Sequence, residues 1–151
     1  MINEIEIKKI LLIENKTKLS FFKSFNSPLK NMINNILYKF NFPLESLYIS
    51  LFYLNKYYKN IKHDNNKIKF FLDNIKMFLF SSIILSTKHI YDEPFNIKQL
   101  CFILNLDYNK YLIFELILLN ELNWKTNFEN DEYYIFKKYL EHHKDLFHIQ
   151  D

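Results

Sequence analysis

Residues 75–91, IKMFLFSSIILSTKHIY, and 108–124, YNKYLIFELILLNELNW, are the stretches on which the fold turns. Each is apolar on nearly every side, and neither shows the strict alternation of a half-buried strand. A helix of that kind is buried. Each stretch also carries a charge where none is expected. Lys88 has Ile84 and Leu85 at i−4 and i−3 and Tyr91 at i+3, while Glu115 has Tyr111, Leu112, Leu118 and Leu119 at the corresponding positions. Burying a charge among such neighbours is costly unless it is paired. Two opposite charges on different helices point to a meeting between them. That meeting reads either as an internal ion pair, with Lys88 snorkelling to water as a further option, or as a polar pair at the centre of an apolar binding face, set to hydrogen-bond the backbone of a partner.

Outward from this pair the chain is punctuated by helix signals. Asp73 or Asn74 can cap the first stretch and Pro94 ends it; Asn96 caps IKQLCFIL, Asp107 caps the second stretch, and Asn130 or Glu129 starts DEYYIFKKYLEHHKDLF. Upstream, Ser27-Pro28 opens a helix over about residues 28–40 with Leu29, Met32, Ile33, Ile36, Leu37 and Phe40 on one stripe. Pro43 opens another that runs to about residue 61, apolar all round until Asn55, as a central helix would be. KHDNNK (62–67) reads as a loop, and residues 1–27 as an arm or short helix packing on the domain. The expected fold is all-α and one domain.

The chain of 151 residues contains no Gly, and none of its residues is Ala, Val or Arg. The missing types have GC-rich codons, which points to an AT-rich coding sequence and to drift toward Lys, Asn, Ser and Ile. Without Gly there is no phosphate-cradling loop, dinucleotide fingerprint or nucleophile elbow. The net charge of +3 comes from lysines spread along the chain. A nucleic-acid surface clusters its cations, so nucleic acid is not the expected partner. The single Cys101 excludes an intramolecular disulfide and suits a reducing compartment. MINEIEIKKI is a poor secretory signal, and the apolar runs fall short of the roughly 20 residues a membrane helix needs. The expected location is intracellular, in nucleus or cytoplasm.

Other chemistry is weak. His142, His143, Asp145 and His148 lack the i, i+4 spacing of a helical metal pair. Cys101 within QLCFIL reads as a buried small apolar residue, His63 as exposed loop, and His89 near Asp92 as a local pair with nothing to make it a catalytic dyad. No metal, cofactor or small-molecule ligand is expected.

At Lys88 and Glu115 the chain resembles a cyclin. NIKMFLFSSIILSTKHIYDEPFNIKQLCFILNLDYNKYLIFELILLNELNWKTNFENDEYYIFKKYL (74–140) is similar, helix for helix, to the second half of a cyclin box, and SLYISLFYLNKYYK (46–59) to its second helix. The group it is most similar to is the P-type (U-type) cyclins. The resemblance spans about residues 28–140. It implies one cyclin box of five core helices over 28–126, an N-terminal arm over 1–27, and an added C-terminal helix over 127–151 packed on the box, with no room for a second repeat.

The resemblance also implies a site. A Lys in the third box helix and a Glu in the fifth dock the kinase in that family, and Lys88 (in STK for the usual ASK) and Glu115 match them. The surrounding face is then Leu85, His89, Leu119, Asn120 and Trp124, with Trp124 an anchor in a partner pocket. Leu116 is the neighbour most expected to be core. The implied function is a regulatory subunit that binds and activates a cyclin-dependent protein kinase without being an enzyme. A cyclin-fold adaptor or transcription-related scaffold that activates no kinase is the alternative. Departures from the family are Asn55-Lys56 for its Asp-Arg, Lys76-Met77 for its His-Arg and Asn35 for an Arg of the first helix. LKNMINNILYKF (29–40) has no counterpart of the substrate-recruiting Met-Arg-Ala-Ile-Leu motif.

Overall fold

The computed structural model describes residues 27–90, 96–127 and 130–142. Among them are seven α-helices and no strand: α1 (Ser27–Asn34), α2 (Leu44–Ile61), α3 (Asn65–Asp73), α4 (Ile75–Ile90), α5 (Ile97–Ile103), α6 (Tyr108–Glu121) and α7 (Asp131–His142). They form two compact units: residues 42–126, and the described residues that precede Phe42 or follow Thr126. The arm over 1–27 falls almost entirely outside the described residues, as do Tyr91, Asp92, Pro94, Glu129, His143, Asp145 and His148.

The central unit is built on α4, which packs against α2 and α6. Every residue of α2 from Ser46 to Asn55 is buried, as its all-round apolar pattern predicts. Close packing of α2 on α4 needs small residues, and a chain without Gly or Ala supplies Ser. Ser46, Ser50, Ser81, Ser82, Ser86 and Thr87 are all buried. A buried hydroxyl must find an acceptor. Ser50 Oγ donates to Leu47 O at 2.7 Å and Ser82 Oγ to Leu79 O at 2.8 Å, each one turn back in its own helix. Ser86 Oγ reaches Ser46 O on α2 at 2.7 Å, and Thr87 Oγ1 lies 3.1 Å from Ser46 Oγ. Hydroxyls that substitute for small apolar groups thus tie the two helices together.

An aromatic cluster closes the other side of this core. The Tyr57 ring lies 5.2 Å from Phe71 and 4.9 Å from Phe78, and Phe78 lies 5.0 Å from Phe114, edge to face. These contacts join α2, α3, α4 and α6; pairs of this kind contribute roughly 0.5–1.5 kcal/mol beyond area burial.

Helix α3 corrects the reading of residues 62–67 as a loop. Asp64 is an N-cap whose Oδ1 accepts from Asn66 and Lys67 N–H at 3.0 and 3.2 Å, so most of the polar run is a cap and first turn. Asn74 serves the end of α3: its Nδ2 donates to Phe70 O at 2.9 Å. The other predicted caps hold. Asn96 accepts from Gln99 N–H, Asp107 from Asn109 and Lys110 N–H, and Asn130 from Tyr133 N–H.

Without Gly, the left-handed backbone positions fall to other residues. Among the described residues these are Asn41, Asn105, Asn123 and Trp124, with φ between 52° and 60°. Asn tolerates this region far better than most residues. Both Asn105 and Asn123 follow a helix end in a Schellman arrangement: Leu106 N–H bonds Cys101 O at 2.8 Å, and Trp124 N–H bonds Leu119 O at 2.9 Å.

In the other unit, α1 buries Met32 and Ile33 and continues as a π-helical turn over Asn35–Lys39 that buries Ile36 and Leu37, with Phe40 N–H bonded to Asn35 O. Helix α7 buries Tyr133, Ile135, Phe136, Tyr139 and Leu140, and carries Asp131 and Glu132 in its first turn, where acids favour the helix dipole.

Candidate functional site

The two misplaced charges meet. Lys88, in the last turn of α4, points its ammonium at Glu115 in the middle of α6, with Nζ 3.1 Å from Oε2 and 3.3 Å from Oε1. The pair sits at the edge of the core: the Lys88 side chain is 42% exposed and that of Glu115 only 16%. Geometry explains the difference. Glu115 falls among the buried positions of α6, Tyr111, Phe114, Leu118 and Leu119, whereas the long stem of Lys88 carries its charge outward.

A third group completes the cluster. The Tyr111 hydroxyl donates to Glu115 Oε2, one helical turn away. Tyr111 is fully buried, its ring edge-on to Phe80 at 5.6 Å, and Lys88 Nζ lies 5.9 Å from its centroid. Burial, then the hydrogen bond to Glu115 and its charge, hold the hydroxyl far above the ordinary tyrosine range. Tyr111 appeared in the sequence only as an apolar neighbour of Glu115. The i, i+4 spacing that lets it donate was equally visible there.

The other expected face residues divide. Leu85 and Leu119 are buried in the core. His89 and Asn120 are exposed. His89 lies edge-on to Tyr53 at 6.5 Å, and the Tyr53 hydroxyl donates to Thr126 O at 2.7 Å, tying α2 to the segment after α6. Trp124 is 61% exposed, and its Nε1 donates to Asn120 Oδ1 at 3.2 Å. Its φ of 60° is a costly one for a bulky residue, on the order of 1–3 kcal/mol. The indole is thereby held at the surface where α6 ends.

Leu116 is not core, contrary to expectation; it is 51% exposed. At 100° per residue it falls about 140° around α6 from Tyr111, on the outer face with Leu112, Ile113 and Asn120, all exposed. The apolar run hides this face because its outer positions are as hydrophobic as its inner ones.

Cys101 is buried, and burial, then the charge of Asp107, push its thiol above the usual range, so it is no ready nucleophile. Among the described residues, no three His, Cys, Asp or Glu side chains gather as a metal site, and no helix is long and apolar enough to cross a membrane.

The site is an ion pair at the edge of the core, braced by a tyrosine, on a helix that also carries an exposed apolar face and is followed by an exposed indole. It offers hydrogen-bond donors and acceptors flanked by apolar surface, which is how protein interfaces are centred. The family model described as "Cyclin, N-terminal domain" matches residues 4–127. No curated protein and no solved structure matches the chain.

Proposed function

This chain belongs to the cyclin family, and from that premise we propose that it binds a cyclin-dependent protein kinase and activates it, acting within the cell in the manner of the P-type cyclins. The observation that carries this reading is the Lys88–Glu115 pair, held at 3.1 Å across two helices at the edge of the core. An ammonium has three N–H groups and a carboxylate about four acceptor sites. With each satisfied in part by the other, Lys88 keeps a donor for a partner carbonyl, and Glu115 Oε1 keeps an acceptor site for a partner N–H. Trp124, exposed just past the C-terminal end of α6, adds a large apolar anchor.

The chain transfers no phosphoryl group in this reading. It binds the active kinase conformation more tightly than the inactive one and shifts the equilibrium by that difference. The element it biases is the αC helix, whose Glu must pair with the ATP-site Lys for catalysis. A hundredfold preference supplies about 2.7 kcal/mol, enough to turn a minor active state into the major one.

The test is co-expression with the cyclin-dependent kinases of the source organism, comparing wild type with Lys88→Glu and Glu115→Lys. Recovery of a kinase with wild type, and its loss in both variants, is expected. Equal recovery with all three would sink this interface.

A further inference from the structure

We propose that Tyr111 is a positioning residue for the Lys88–Glu115 pair, holding the Glu115 carboxylate in the orientation that a docking partner meets; the proposal rests on the kinase-binding reading. The observation is the bond from the buried Tyr111 hydroxyl to Glu115 Oε2, the same oxygen that lies 3.1 Å from Lys88 Nζ.

A surface ion pair alone is a poor anchor. Both side chains are long, their attraction is screened by water, and ordering them costs entropy. Lys88 is such a partner, since its own side chain is 42% exposed. Tyr111 is the opposite. Its ring is fixed between Phe80, at 5.6 Å, and Tyr108, at 5.9 Å, on a fully buried side chain. A phenol immobilised in this way presents its O–H at one place. The carboxylate that accepts it loses rotational freedom before any partner arrives, and Lys88 follows the carboxylate. Preorganised donors and acceptors bind more tightly because less ordering remains to be done on association. The hydroxyl has a second effect: it supplies a donor to the less exposed member of the pair, where an unsatisfied carboxylate is most costly.

The device depends on one oxygen atom. Tyr111→Phe removes it and keeps the ring in its packing. In the full-length chain without partner, side-chain order at the Glu115 γ-methylene, read by 13C relaxation, is expected to fall in Tyr111→Phe. Dissociation of the kinase that co-purifies with wild type is expected to quicken by roughly three- to tenfold, with association little changed. A merely structural hydroxyl would lower the unfolding midpoint and leave both readings as they are. Unchanged order, or lost order with unchanged dissociation, overturns the proposal. If order falls but no kinase is recovered with wild type, it is the kinase-binding reading that has failed, and with it the role assigned to Tyr111 in docking.

A second measurement covers the case in which Tyr111→Phe does not fold. With ζ-13C-tyrosine in the wild type, the Tyr111 hydroxyl should keep its proton beyond the ordinary tyrosine range. In Glu115→Gln it should ionise at lower pH than in wild type, because the acceptor's charge is gone while burial remains. No difference between the two proteins means that the bond is absent and the proposal wrong.

Discussion

Lys88 on α4 and Glu115 on α6 form an ion pair of 3.1 Å although 27 residues separate them in the chain. Because Lys88 is well exposed, the pair contributes little to folding, on the order of 0–1 kcal/mol. Lys88→Met should therefore lower stability by less than about 1 kcal/mol, while kinase binding falls by tenfold or more as the central donor is lost. Urea unfolding and a pull-down on the same preparation check both halves. A large stability loss with binding retained would show that the pair serves the fold instead.

Trp124 presents the same division in another form. Its left-handed backbone is costly and its ring is mostly in water. In Trp124→Gly the relief of strain and the greater freedom of the unfolded chain oppose each other, so stability should stay within about 1 kcal/mol of wild type. Binding should drop at least tenfold, the usual cost of removing an aromatic anchor. Destabilisation beyond about 2 kcal/mol would make Trp124 a structural residue.

The helices of this protein are legible in its sequence where an apolar run meets a cap. Asn96, Asp107 and Asn130 mark their helix starts and do so by the predicted side-chain bonds. The meeting of Lys88 with Glu115 was legible because charges in apolar helices need partners. Helix α3 was not, because Asp64, Asn65, Asn66 and Lys67 have the composition of a loop, and only the bonds from Asp64 to the following N–H groups reveal a cap. Leu116 was misread because α6 is apolar on both faces, so that pattern alone cannot orient it. The role of Tyr111 was missed for a different reason: a tyrosine among leucines reads as core, and its hydroxyl matters only once its ring is known to be fixed.

Ser86 tests the substitution of hydroxyls for small apolar residues. It is buried, and its single O–H is shared between Ser46 O at 2.7 Å and Ile83 O at 2.8 Å. Ser86→Ala keeps the close approach of α2 and α4 and loses the interhelix bond, for about 0.5–1.5 kcal/mol. Ser86→Val adds carbon where the helices touch and should cost more, about 1–3 kcal/mol. Chemical denaturation of both variants gives the order directly, and equal losses for Ala and Val would mean that the hydrogen bond, which both variants lack, rather than the spacing, governs this contact.

Alkaline pH should unfold this protein through its buried tyrosines. Burial, and secondarily the charge of Glu121, push the Tyr57 hydroxyl up to about 12 from an ordinary value of 10.0. Burial raises Tyr53 and Tyr111 in the same direction. A folded-state value above the unfolded one means that the folded protein retains the proton over a range in which the unfolded chain has released it. Stability is then fully present below about pH 10 and declines as pH rises beyond it, by about 1.4 kcal/mol per unit for each such tyrosine. Urea midpoints from roughly pH 8 to 11.5 should be level at first and then fall. Tyr57→Phe should show a shallower decline than wild type, since it has one fewer buried phenol to ionise. Glu121→Gln should move the Tyr57 ionisation downward, because a neighbouring negative charge no longer opposes it. A decline of equal slope in wild type and Tyr57→Phe would assign the alkaline sensitivity to the other two tyrosines.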